Sequence, residues 1–156
     1  MIRRAVSLYA ALSIFGMSSL YAEEKKHLSY PEFGITTSSM LIHPSIGYWW
    51  DRIGLRVSGM YLNEDQHEFH LNIGYEFFAS ENLQQSINLL TSRVAGSDSG
   101  ADYKYWATGI AYGVNYKGFF LELGLARPWE DELGNIADDP VIPCGYVGYL
   151  YRFRTE

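Results

Sequence analysis

Trp106-Ala107-Thr108-Gly109-Ile110-Ala111-Tyr112-Gly113-Val114-Asn115-Tyr116 reads as one extended strand with two unlike faces. Successive side chains of a strand point to opposite sides. Trp106, Thr108, Ile110, Tyr112, Val114 and Tyr116 therefore share one face, which is large and mostly apolar. Ala107, Gly109, Ala111, Gly113 and Asn115 share the other, which is nearly bare. A soluble barrel turns its bulky apolar residues inward. A strand this long with small residues on its second face suits the reverse arrangement, in which the apolar side looks out at lipid.

The same alternation recurs along the chain. Ile53, Leu55, Val57, Gly59 and Tyr61 alternate with Gly54, Arg56, Ser58 and Met60, and Phe69, Leu71, Ile73, Tyr75 and Phe77 with His70, Asn72, Gly74 and Glu76. Leu83, Ile87 and Leu89 share a face, as do Phe119, Leu121, Leu123 and Leu125. In the last segment Val147, Tyr149, Tyr151 and Phe153 oppose Tyr146, Gly148, Leu150 and Arg152. Two weaker segments, Phe33 to Met40 and Ile42 to Trp50, bring the number of strands to eight. Thirteen Tyr, eight Phe, four Trp and fifteen Gly support strands and tight turns over helices.

Asp51-Arg52 and Lys117-Gly118 are two-residue links, and Ser80-Glu81-Asn82 is a third short one. A two-residue hairpin returns its flanking residues to the same face, as the pairs Trp50 and Ile53, and Tyr116 and Phe119, require. The links at 63–66, 96–102 and 128–143 read as longer and polar, whereas the one near Leu41 to Pro44 reads as shorter. Alternating long and short links predict an all-β, eight-stranded antiparallel up-and-down transmembrane β-barrel. Such a barrel closes on itself, which a lipid surround requires. Trp50, Phe77, Tyr116, Phe119 and Phe153 are expected at the water interface beside the short turns, with Trp106 and Trp129 in the opposite ring.

Arg3 and Arg4 precede an apolar run from Ala5 to Phe15, then Gly16, Ser18, Ser19 and Ala22, before the abrupt Glu23-Glu24-Lys25-Lys26. This pattern predicts a signal peptide over residues 1–22 and a barrel domain over 23–156. Cleavage there removes two positive charges from a chain whose formal net charge is already −6. So acidic a chain lacks the basic surface that nucleic acid calls for. Cys144 is the single cysteine, between Pro143 and Gly145, and is read as a packed thiol with no disulfide partner in the chain.

The chain resembles the small eight-stranded outer-membrane barrels of Gram-negative bacteria, the OmpA/OmpX-like barrels grouped with the porins. Tyr146, Gly148, Tyr151 and Phe153 fill the places of that family's C-terminal assembly signal, a polar residue, x, Gly, x, x, aromatic, x, aromatic; Arg154, Thr155 and Glu156 follow here. The resemblance implies export to the outer membrane, contact with its lipid and lipopolysaccharide, and handling by the barrel-insertion machinery. The resemblance names no particular member; the function expected from the chain as a whole is non-enzymatic, with a structural, surface-interaction or narrow-conductance role.

An eight-stranded barrel has an interior that side chains can fill. Arg56, Glu76, Glu122 and Arg152 all fall on inward positions and are expected to neutralise one another in a low-dielectric lumen. Counted from the short turns, Arg56 matches Glu76 in height and Glu122 matches Arg152, which predicts two cross-strand pairs. The alternative to this filling is a gated ion path.

His43 and Ser45 form a His-x-Ser pair on one strand face, the spacing found in outer-membrane lipid A deacylases, where a Glu completes the set. In those enzymes the motif lies late in the chain, whereas here it lies early and contains Pro44. A lipid A-modifying enzyme is thus one alternative function, and a soluble periplasmic lipocalin-like barrel with its apolar faces inward is another. His70 reads as hydrogen-bonded filling, since no second ligand stands at a metal-binding spacing. No cofactor or metal motif is present. Glu130, Asp131, Glu132, Asp138 and Asp139 read as a solvated acidic loop.

Overall fold

The computed structural model describes residues 29–38, 41–98, 101–133 and 141–153. They form eight strands: β1 (Tyr30–Thr37), β2 (Ile42–Trp50), β3 (Ile53–Asn63), β4 (Gln66–Ala79), β5 (Leu83–Asp98), β6 (Ala101–Tyr116), β7 (Phe119–Asp131) and β8 (Ile142–Arg152). Each pairs with the next, every pairing is antiparallel, and β8 closes on β1. The chain is a closed up-and-down barrel, as the alternation predicts. Residues 1–22, with the expected signal peptide, lie outside the described residues, as do Asp138, Asp139 and Arg154 to Glu156.

The wall is inside out relative to a soluble protein. Burial in β2 alternates residue by residue, and Ile110 and Leu125 on the outer face are 63% and 61% exposed while Ala107 and Ala126 beside them are buried. Among the described residues, buried polar and charged side chains outnumber buried apolar ones, and the large apolar side chains form an exposed belt. Water would not stabilise such a surface, since each exposed apolar side chain forgoes roughly 1.5–3 kcal/mol of burial.

The two tight turns follow from their residues. Lys117 and Gly118 both have positive φ, 51° and 94°, the combination that matches a hairpin's twist. Asp51 takes φ 57° in the β2–β3 turn, a conformation that Asp tolerates better than most residues. These turns share one rim, here the near rim, with the β4–β5 link and with Tyr30 and Phe153; Phe153 N donates to Pro31 O at 3.1 Å. Trp50, Phe77, Tyr116, Phe119 and Phe153 are all exposed on the outer face near it. At the far rim the Trp106 and Trp129 rings lie 5.8 Å apart.

Several boundaries differ from expectation. β1 begins at Tyr30 and ends at Thr37, because Tyr30 pairs with Trp49 and stacks on its ring. The chain's first far-rim link is 38–41, so Ile42, His43 and Pro44 belong to β2. At the far rim Asn63 pairs with Gln66, leaving Glu64-Asp65 as a two-residue turn, and Ser97 pairs with Asp102. β7 likewise runs on through Pro128 and Trp129 to Asp131. A ladder is held by backbone groups, so strands continue above the apolar belt where their side chains no longer alternate in hydrophobicity.

Gly118→Ala should destabilise the barrel by about 1 kcal/mol or more, because φ 94° disfavours a side chain and the added Cβ would meet the Tyr149 ring. Urea titration of the folded protein in detergent micelles measures it; an unchanged midpoint would show that the turn does not set the strand return.

Candidate functional site

The lumen is filled in three layers. Nearest the near rim, Tyr30 Oη donates to Glu76 Oε2 at 3.3 Å, Gln84 Nε2 donates to the same carboxylate, and Gln84 Nε2 also lies 2.9 Å from Tyr30 Oη. The Trp49 ring lies across Gly54 and Gly74, where any Cβ would strike it.

The middle layer holds the charges. Arg56 Nη2 donates to Glu122 Oε2 at 3.1 Å, and Arg56 Nη1 lies 4.0 Å from Glu32 Oε1. Arg152 Nε donates to Glu32 Oε2 at 3.0 Å. Asn72 Nδ2 donates to Glu122 Oε1 at 2.8 Å, Asn88 Nδ2 donates to Glu122 Oε2, and the Arg56 guanidinium lies over the Phe120 ring at 4.1 Å. Glu122 and Glu32 are 0% and 1% exposed, and these partners replace the water that a buried carboxyl group has lost.

Arg56, Glu76, Glu122 and Arg152 all point into the lumen, but not in the expected pairs. Arg56 meets Glu122 across the barrel, Tyr30 and Gln84 donate to Glu76, and Arg152 pairs with Glu32, which the sequence reading did not single out. Heights counted from the turns ignore the stagger that barrel closure imposes. Arg56 pairs in the ladder with Asn72, while Glu76 pairs with Ser86 further toward the near rim.

The far layer contains His43, Glu68 and His70. His43 Nε2 donates to Glu68 Oε2 at 2.6 Å, and Ser38 Oγ donates to the same oxygen at 2.6 Å. His70 Nδ1 lies 2.9 Å from both Ser92 Oγ and Tyr146 Oη, and the two imidazoles are 5.0 Å apart. A cavity of about 380 Å³ borders this layer, lined by Glu68, Ser92, Tyr146, Leu90, Tyr105 and Cys144 among others. Cys144 is half-buried in that lining.

Ser45 Oγ is hydrogen-bonded to Thr36 Oγ1 at 2.8 Å, and His43 is turned to Glu68. The His-x-Ser spacing therefore does not produce a serine held by its base. Outside this point the β2–β3 ladder stops at Ser45 and Ser58, next to Pro44, which has no N–H to continue it. A cleft of about 490 Å³ opens there, lined by Phe33, Pro44, Ile46, Val57 and Phe69 and reaching Ser45 and Ser58.

Of the acidic far-rim residues, Glu130 and Asp131 lie in β7. Glu132 binds Arg93 at 2.5 Å and Lys104 at 3.2 Å, and the hydrogen bond from Arg93 holds its carboxyl below the usual range. In the terminal motif Tyr146 points inward to His70, Gly148 packs on the β1 backbone, and Tyr151 and Phe153 stack edge to face at 4.7 Å on the outer surface.

Arg56→Ala leaves the buried Glu122 without its cation and should cost roughly 3–5 kcal/mol, whereas Arg56→Leu with Glu122→Leu should cost clearly less than the two single changes added together. A double-mutant cycle by denaturant unfolding reads this coupling; additive effects would mean the pair is independent.

No family profile matches the sequence, and no curated protein sequence matches it. Among solved structures, the chain is similar to the N-terminal beta-barrel domain of Pseudomonas aeruginosa OprF, at 18% identity and a TM-score of 0.43, covering 81% of this chain and 98% of that one. It is also similar to the Yersinia pestis outer membrane protein Ail in a phospholipid bilayer nanodisc, at 13% identity and a TM-score of 0.41, covering 82% and 100%. By its own strand order and closure, the chain is an eight-stranded antiparallel up-and-down barrel.

Proposed function

We propose that this protein is an outer-membrane barrel without enzymatic activity, whose lumen is a charge-neutralised plug and whose role is structural or in surface interaction. The observation that carries this reading is the inverted wall, with an exposed apolar belt outside and a buried polar network inside. That distribution suits lipid around the barrel and disfavours a lipocalin-like protein, which would turn its apolar faces inward. The closed ladder leaves no edge strand to face lipid. The ionic layer around Glu122 supports a plug over an open channel.

Leu71 lies on the outer face of the belt. Leu71→Arg should destabilise the barrel in lipid vesicles by about 2–4 kcal/mol if it sits near the bilayer midplane. Cell fractionation should place the wild-type protein in the detergent-soluble outer-membrane fraction. Recovery as a soluble periplasmic protein would overturn the membrane reading.

A lipid-modifying enzyme is the second reading, favoured by the apolar cleft beside Pro44 that reaches Ser45 from the outer face. The test is hydrolysis of lipid A or phospholipid in mixed micelles by wild type and Ser45→Ala. The non-enzymatic reading expects no turnover by either; turnover that Ser45→Ala abolishes would establish the enzyme.

A further inference from the structure

We propose that His43, Glu68 and His70 form a binding site for a divalent transition-metal ion of the zinc class. One donor atom from each of the three lies within 4.8 Å of the others, and the three residues are 0%, 3% and 3% exposed. Glu68 and His70 are two residues apart on β4 and so share its inward face. His43 reaches them from β2, across β3, where the inward residue at that level is the small Ser58.

The donor set selects the metal. Two imidazole nitrogens and one carboxylate oxygen are typical of three-ligand zinc sites that keep a fourth position open. Calcium or magnesium would need more oxygen ligands than Glu68 and the nearby hydroxyls supply. A buried divalent ion on two neutral imidazoles and one carboxylate leaves a single net positive charge in a lumen rich in acidic groups.

The surroundings are already those of a metal site. Ser92 and Tyr146 hold His70 by Nδ1, which fixes the ring and leaves Nε2 for a ligand; His70 Nε2 has no hydrogen-bond partner among the described residues. Buried polar atoms are rarely left so, and a bound ion would supply the partner that His70 Nε2 lacks. Ser38 orients Glu68 through its carboxylate, as outer partners of ligating carboxylates do. The 380 Å³ cavity lined by Glu68, Ser92 and Tyr146 supplies a route in and room for water or a small ligand at the fourth position.

Binding requires a small movement. Two ligands each about 2.0 Å from a tetrahedral zinc sit about 3.3 Å apart. His43 Nε2 and Glu68 Oε2, now 2.6 Å apart, must therefore separate by several tenths of an ångström if both ligate. A side-chain rotation in a cluster that borders a cavity is enough.

The test is isothermal titration of zinc into the untagged protein folded in detergent micelles, with bound metal counted by elemental analysis after gel filtration. One zinc per chain is expected. Glu68→Gln and His70→Gln should each weaken binding by about 100-fold or more and Tyr146→Phe by about tenfold, while His67→Ala should leave it unchanged. Circular dichroism identifies variants that have not folded. Independently of any variant, cobalt added to the wild-type protein should give the visible absorption of a four-coordinate ion and should be displaced by zinc. Absence of stoichiometric zinc binding, an octahedral cobalt spectrum, or undiminished binding in folded Glu68→Gln or His70→Gln would each overturn the site.

Discussion

The contact between Arg56 and Glu122 is the constraint on which the rest of the interior depends. A carboxylate 0% exposed at the centre of a narrow barrel must be neutralised, and the 3.1 Å hydrogen bond from Arg56 does most of that. Once Arg56 is committed to the centre, the neighbouring positions are determined. Glu32 balances its second amino group, Arg152 balances Glu32, and Asn72 and Asn88 take the remaining carboxylate lone pairs. The near and far layers are then two separate halves with different chemistry. One gathers Tyr30 and Gln84 on Glu76; the other is an imidazole and carboxylate cluster beside a cavity.

The fold was legible in the sequence because it rests on two local signals. Strict alternation in stretches such as Trp106 to Tyr116 marks the strands, and Lys117-Gly118 and Asp51-Arg52 preserve phase across their turns. Both are readable without knowing which strands meet. The far-rim extensions were not legible, since Asp98, Asp102, Glu130 and Asp131 look like loop residues, yet they lie in strands through their backbone ladders. Polar residues above an apolar belt carry no contrast to read.

The interior was legible in membership more than in pairing. Phase places Arg56, Glu76, Glu122 and Arg152 inside, and the structure has them there, but contacts across a lumen depend on stagger. Glu32 was missed because β1 has the weakest alternation of the eight strands, with Pro31 and Gly34 in it. His43, Glu68 and His70 were not recognised together because twenty-five residues and an intervening strand separate the first two. Their meeting is a property of closure, and the smallness of Ser58 was the one hint available.

The β1–β2 hairpin is joined to its neighbours by the two shortest ladders in the barrel, β1–β8 and β2–β3, the second ending at Pro44. It is therefore a leaf hung on two short seams. Glu32 and His43 both stand on that leaf, and their partners Arg56, Arg152 and Glu68 all stand off it. The ionic contacts of the lumen thus act as cross-bolts over the seams where backbone pairing is thinnest. The charges inside the lumen latch this leaf to both of its neighbours.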